Sequence, residues 1–486
     1  MPSRRSGSTP EIGSVDTSPS CPHGARTLQE RMIFKSLCRH VGIGANSYLV
    51  EAGDARVVLD SGMHPENEGM EAVPRFNLLK PGTIDSVIIT HSHLDHVGTL
   101  PVLMENQSQA HVFLTPETCD LTTAMLHNSV NVMQSKRIEL GLTEYPLFEH
   151  KDIDRMVETF ELKGIERPFN LDPGGKMRAT FHDAGHILGS VGVTIQAAGK
   201  TLLYTGDVNF EDATIQKGAL LPETTVDALV IETTRGNHQR DPNYTRSGEE
   251  NELADAIRKV IERGGSVLIP VFAMGKTQEV LAMLQRFRKE KLIPRTAPIY
   301  IGGLSTKMTM VYDRHSDTSR RKLPGFRILS DMDLESGNRD ARKRAPIPLV
   351  AGAIYALSSG MMTEKTVSNT FARTGFLENK RNGLFFVGYA DPKSPGGRIR
   401  APAPGEKVVV DPAFGAVPLN CDMRIFDFSG HATRESLLNY ILKVNPKKTF
   451  LVHGDEPAVE WFKEQLAAKL PSTEVIVPQP GDEHEI

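Results

Sequence analysis

Three imidazoles and a carboxylate stand within six residues, His91-Ser92-His93-Leu94-Asp95-His96. Imidazole and carboxylate together suit zinc and similar divalent ions. A regular helix would face His91 and Asp95 one way and His93 another, whereas a loop can fold around two ions. The preceding run, Ser86-Val87-Ile88-Ile89-Thr90, reads as a buried strand, so the cluster sits where that strand ends. A ligand loop held by a rigid strand is what a catalytic metal site needs. The alternative for the cluster taken alone, a chance His-rich surface loop, is the weaker reading.

Other strand-like runs close in the same way. Val57-Val58-Leu59 ends at Asp60, Leu202-Leu203-Tyr204-Thr205-Gly206 ends at Asp207, and Thr449-Phe450-Leu451-Val452 ends at His453. His186 lies in Asp183-Ala184-Gly185-His186-Ile187-Leu188-Gly189-Ser190. Gly alone would supply the turn that ends a strand. Apolar strands that repeatedly end in Asp or His beside Gly point instead to one sheet edge that gathers ligands.

Taken in order, these motifs resemble the metallo-β-lactamase superfamily and, within it, the β-CASP nucleases, from about Arg31 to the C-terminus. The superfamily's motifs match Asp60, the 91–96 cluster, His186 and Asp207. The β-CASP motif A matches Glu232 in Val230-Ile231-Glu232-Thr233-Thr234. Motif B matches His431 in Phe428-Ser429-Gly430-His431-Ala432, and motif C matches His453 in Val452-His453-Gly454. The resemblance implies an α/β fold, a metallo-β-lactamase αββα sandwich with an inserted α/β β-CASP cap domain. The expected division is a disordered tail over 1–30, a discontinuous metallo-β-lactamase domain over 31–232 and 396–486, and a cap over 233–395.

The resemblance also implies roles. His91, His93 and His186 would hold one zinc, Asp95, His96 and His453 a second, and Asp207 would bridge them, giving two Zn2+ per chain. A metal-bound hydroxide would then attack an RNA phosphodiester, with Asp95 and Asp207 orienting it through their free oxygens. Asp60 is expected to accept an imidazole N–H and fix its tautomer. His431 would protonate the departing ribose 3′ oxygen, and Glu232 would orient His431 and favour its charged form. Ser429 and Gly430 are expected at the substrate. In this family RNA-directed members carry His at motif C, so His453 favours single-stranded RNA over DNA. Two cap segments depart from the family pattern, Ile301-Gly302-Gly303-Leu304 and the stretch from Gly388 to Arg398, which leaves sequence preference and cut position open.

Composition fits this reading. The net charge of −4 is uneven: residues 235–395 hold 27 Lys/Arg against 17 Asp/Glu. A basic insert over a metal site favours a polyanion, and Arg342, Lys343 and Arg344 are candidate contacts. Four cysteines show no Cys-x-x-Cys spacing and read as reduced thiols. No run of 18 apolar residues is present, so no membrane span is expected. Residues 1–30 are rich in Ser, Pro and Gly and lack the apolar stretch of a secretory signal, so a cytoplasmic location is expected. Gly275-Lys276-Thr277 is a poor nucleotide-binding loop, because Pro270 stands where the first loop glycine should be.

Helix and strand patterns alternate after Glu232. Leu253, Ala256, Ile257, Val260 and Ile261 have helical spacing and stop at Gly264-Gly265. A strand over 266–271 and a helix over 274–291 follow, as in a doubly wound unit. Little chain follows the helix after motif C, so no appended domain of the RNase J type is expected, which favours endonuclease action. A 5′ exoribonuclease, a DNA nuclease of the same family, a small-molecule ester hydrolase and an inactive scaffold remain alternatives. The long insert argues against the ester hydrolase, and the full ligand set against the scaffold. A homodimer is left open.

Overall fold

Strands whose two faces are both buried are apolar at nearly every position, and this determines the architecture. In Tyr48–Ala52, Val50 faces one core and Leu49 another; in Ala228–Glu232, Val230 and Ile231 divide in the same way. The computed structural model describes residues 31–336, 347–401, 403 and 405–486. The tail expected over 1–30 and the cluster Arg342, Lys343 and Arg344 lie outside the described residues.

Two seven-stranded sheets pack face to face. The first runs in space Glu483–Glu485, Met32–Ser36, Tyr48–Ala52, Ala55–Leu59, Ser86–Ile88, His111–Leu114, Phe160–Leu162. The second runs Glu474–Ile476, Lys448–Val452, Ala228–Glu232, Lys200–Tyr204, Val191–Ala197, Met177–Asp183, Phe169–Asn170. Phe34, Val57, Phe181, Val193, Val230 and Phe450 fill the space between them. Helices cover the outer faces: Pro116–Leu140 and His150–Val157 over the first sheet, Arg434–Val444 and Glu456–Lys469 over the second. This is the αββα sandwich of the metallo-β-lactamase fold.

The cap is inserted after Glu232. Its six strands pair in parallel in the order Glu335–Ser336, Ile299–Ile301, Ile354–Leu357, Val267–Pro270, Gly383–Phe386, Asp422–Ile425. Helices Arg246–Glu262 and Lys276–Lys289 bury Leu253, Ile257, Val260, Val280, Leu284 and Phe287 against one face. The sequence placed the return to the first domain at 396. The structure differs there: Asp422–Ile425 pairs with Gly383–Phe386, and Val408, Val410 and Leu419 join the cap core. A four-residue edge strand after a hairpin has too little periodicity to read in advance.

Register places the ligands. Ala55–Leu59 pairs in parallel with Ser86–Ile88, and Lys200–Tyr204, Ala228–Glu232 and Lys448–Val452 are parallel to one another. Their C-terminal ends therefore share one edge. The cap closes on that edge through Ile187 and Leu188, which pack with Met274, Met308 and Tyr312, and through Arg320, whose Nη1 donates to Asp183 Oδ2 at 2.9 Å.

Candidate metal centre

The cluster 91–96 is part loop and part helix. His91 and Ser92 lie outside any helix or strand, and Leu94–Val97 forms one helical turn with His93, itself extended, as its N-cap. The turn sets Asp95 and His96 beside His453, while His91 and His93 converge with His186, so a single short motif contributes to two adjoining ligand groups. Gly62 permits this packing, since a Cβ there would lie 1.8 Å from Asp95 O.

Four ligand atoms converge first. His91 Nε2 is 3.2 Å from His93 Nδ1, and His186 Nε2 is 3.1 Å from it. Asp207 Oδ2 is 3.5 Å from His91 Nε2 and 3.6 Å from His186 Nε2. Asp95, His96 and His453 converge beside them, with His453 Nε2 3.3 Å from Asp95 Oδ2. Asp207 Oδ1 turns to this second group, 3.3 Å from His96 Nε2 and 3.2 Å from His453 Nδ1. One carboxylate thus presents one oxygen to each group.

Neighbouring acceptors hold the ring protons on the far side. Thr90 Oγ1 gives its own proton to Asp60, so it accepts from His91 Nδ1 at 3.2 Å. Gly430 O accepts from His186 Nδ1 at 2.8 Å, and Asp60 Oδ2 accepts from His96 Nδ1 at 2.8 Å. The Nε2 atoms of His91 and His186 are left as lone pairs that point inward, and that of His96 becomes one once an ion displaces its proton. Burial holds His91, His93 and His186 below the ordinary imidazole range and so favours their neutral form. Burial opposes a charge on His96 and His453 too, but Asp207, with Asp60 at His96 and Asp95 at His453, outweighs it and raises both.

This arrangement fits divalent ions. Imidazole lone pairs 3.1–3.2 Å apart, with an anionic carboxylate oxygen 3.5–3.6 Å from two of them, are held together by a proton or a cation among them, and a divalent ion serves all four. Asp207 Oδ1 is buried without a hydrogen-bond donor of good geometry. The donor set of imidazoles and carboxylates suits zinc.

Asp60 is fully buried and accepts from Thr90 N, Thr90 Oγ1, Tyr204 OH and His96 Nδ1, all at 2.8–3.0 Å. Glu232 Oε1 accepts from Val208 N at 2.7 Å, and both its oxygens lie 3.0–3.1 Å from His431 Nδ1. Burial works against a charge on His431, and Glu232 overcomes it, so its pKa is raised. The His431 ring lies tilted against His186, with centroids 4.6 Å apart, without joining either ligand group, and its backbone N donates to Ser429 Oγ at 3.1 Å.

The structure therefore gathers Asp60, His91, His93, Asp95, His96, His186, Asp207, Glu232, Ser429, Gly430, His431 and His453 around one cleft. Sequence reasoning missed Thr90, Tyr204, Thr234 and Asn46. Thr234 Oγ1 lies 3.1 Å from His453 Nδ1, and Asn46 Nδ2 lies 3.1 Å from His96 Nε2. Tyr204 carried a signal, because a tyrosine on a buried strand needs a polar partner. Asn46 carried none.

Comparison with known proteins agrees with this geometry. The profile of the metallo-beta-lactamase superfamily matches residues 41–270, that of the Beta-Casp domain 277–399, and that of the Zn-dependent metallo-hydrolase RNA specificity domain 416–478. The transcription termination factor FttA of Pyrococcus abyssi is 29% identical over 439 residues, 85% of this chain and 65% of that protein. The same factor from Methanosarcina mazei is 30% identical over 86% of this chain and 66% of its own length. Cleavage and polyadenylation specificity factor subunit 3 of Dictyostelium discoideum is 27% identical over 90% of this chain and 55% of that protein. The chain thus spans 55–66% of the length of these relatives. A crystal structure of a protein of unknown function from Enterococcus faecalis V583 shares the fold, with a TM-score of 0.56 at 13% identity over 94% of this chain and 100% of the other. Three profiles in chain order, laid over two adjoining ligand groups and a cap, show that the chain belongs to the metallo-β-lactamase superfamily and to its β-CASP family.

Proposed function

We propose that the chain is a zinc-dependent ribonuclease that hydrolyses phosphodiester bonds of single-stranded RNA, endonucleolytically, in RNA processing or decay. We place it in the cytoplasm and leave open a homodimer. The observation that carries this reading is the pairing of the two ligand groups with His431 and Glu232 beneath a basic cap. The RNA specificity profile over 416–478 and the RNA-processing relative support an RNA substrate. Among the described residues no helix is long and apolar enough to cross a membrane.

His91, His93 and His186 would hold one zinc, and Asp95, His96 and His453 the other, with Asp207 shared. Bound zinc would supply Lewis acidity toward a phosphoryl oxygen and acidify a coordinated water. The chain's own groups do the rest. Asp60 and Thr90 keep the imidazoles in the tautomers that expose Nε2. Asp207 and Asp95 hold carboxylate oxygens at the reacting centre. His431, which keeps part of its side chain exposed, would carry the proton that a departing 3′ oxygen needs. Glu232 holds that imidazole by Nδ1, so Nε2 is the atom that donates.

Single-stranded RNA labelled at either end, incubated with zinc-loaded protein, tests the reading. Internal fragments from both labels at early times support endonuclease action. Mononucleotides released only from the 5′ label would make it a 5′ exonuclease, and an intact RNA beside a degraded DNA would make it a DNA nuclease.

A further inference from the structure

Two cations of the cap have no carboxylate partner among the described residues. Lys276 opens the helix Lys276–Lys289, and Arg400 ends the helix Pro395–Arg400. Among the described residues neither lies in an ion pair with a carboxylate. Lys276 Nζ donates to Phe428 O, and Arg400 Nη2 donates to Gly388 O at 2.9 Å. Arg400 lies over the Phe386 ring, 4.1 Å to its centroid, and its Nε is buried with no hydrogen-bond partner. Both side chains flank Gly388: Arg400 bonds its carbonyl oxygen, and a Cβ there would lie 3.8 Å from Lys276 Cε.

The carboxylates nearby are already committed. Glu279 accepts from Arg246 and from the backbone N–H groups of Thr214 and Ile215. Asp427 accepts from Arg235 at 2.8 Å and Arg240 at 3.1 Å. An ammonium with one acceptor for three N–H groups is costly to bury until an anion arrives. Burial accordingly pushes the Lys276 amine down to about 8 and the Arg400 guanidinium down to about 10.

The pair also lies at the cleft. Phe428 is three residues before His431. A Cβ on Gly275 would lie 2.6 Å from Ile187 Cγ2, so the start of this helix packs next to the ligand His186. Lys276 is therefore on the His431 side of the metal centre. We propose that Lys276 and Arg400 bind the RNA backbone phosphate that lies one nucleotide upstream of the cut bond. This inference rests on the ribonuclease reading: His431 serves the leaving 3′ oxygen, so the strand beside it is the upstream one. Gly275-Lys276-Thr277, which fails as a nucleotide loop, thus acquires a phosphate of another kind.

The test is charge interference with zinc-loaded protein. End-labelled uridine decamers carry one neutral methylphosphonate beside a 2′-O-methyl group, and controls carry the same methyl group with an ordinary phosphate. A charge-assisted hydrogen bond corresponds to about 10- to 100-fold in rate. Cleavage of the bond just 3′ of the neutral linkage should fall by about that factor, and cleavage of the bond on its 5′ side should fall much less. Lys276→Met should cleave the control about 10- to 100-fold more slowly with unchanged zinc content. It should show no selective fall at the neutral linkage, whereas Lys276→Arg should keep the selectivity. Equal effects at the two flanking bonds in the wild type, or a selective fall retained by Lys276→Met, would overturn the subsite alone. A wild-type protein that cleaves no control RNA would overturn the ribonuclease reading beneath it.

Discussion

Replacing Asp60 by Asn changes one atom and should cost a metal ion. The Asp60 carboxylate is fully buried and accepts from Thr90 N, Thr90 Oγ1, Tyr204 OH and His96 Nδ1. An amide keeps the oxygen that serves Thr90 and turns an N–H group toward Tyr204 and His96. The tyrosine hydroxyl can rotate and accept, but His96 Nδ1 can accept only if the ring proton moves to Nε2. That nitrogen faces Asp207 Oδ1 at 3.3 Å and would no longer offer a lone pair to an ion. Loss of such a supporting partner costs about 10- to 100-fold in metal affinity, or about 1.4–2.8 kcal/mol. The metal-free protein should also lose about 1.5–3 kcal/mol, the contribution of a hydrogen bond to a charged group. Zinc titration against a competing chelator measures the first effect, and urea unfolding in chelator the second. An Asp60→Asn protein that binds two zinc ions as tightly as wild type would refute the tautomer argument.

Other outcomes follow from the same geometry. His431→Ala should keep both zinc ions and RNA affinity while turnover falls about 10²–10⁴-fold, and RNA with sulfur at the 3′ bridging position should be rescued, since thiolate leaves unprotonated; loss of a metal would make His431 a ligand. Activity that needs a proton on His431 is present below its raised pKa and lost as pH rises through it, so Glu232→Gln should move the alkaline limb of the pH–rate profile to lower pH. Without an ion, Asp207 and Asp95 overcome the burial of His453 and hold it up to about 10, so zinc must displace protons there. Zinc affinity should fall as pH falls, and calorimetry in buffers of different ionisation enthalpy should register proton release; binding independent of pH would contradict this. Gly62→Ala forces a Cβ into Asp95 O and should cost about 1–3 kcal/mol in urea unfolding together with zinc from the second group.

Several candidate ligands stood out because they follow an apolar strand. Asp60, His91, Asp207, Glu232 and His453 sit at or just beyond strand ends that parallel pairing brings to one edge. The helices Arg246–Glu262 and Lys276–Lys289 were likewise written in helix periodicity. The helical turn Leu94–Val97 was not, because four residues carry no period and tertiary packing under Gly62 decides them. The partners of the ligands were hidden for a different reason. Thr90, Thr234 and Asn46 act through contacts between residues as much as 219 positions apart, and an isolated Thr or Asn has no spacing to read. Lys276 was seen only as part of a failed motif, because its exposure to Phe428 and lack of a carboxylate exist only once the cap has closed.

Zinc removal and return, read on end-labelled RNA, tests the central claim most directly. Chelated protein should be inactive, and cleavage should return in proportion to zinc until two ions are bound per chain, while Asp207→Ala, which lacks the shared carboxylate, should bind fewer than two and stay inactive. Full cleavage by the chelated protein, or by Asp207→Ala holding no zinc, would contradict the account.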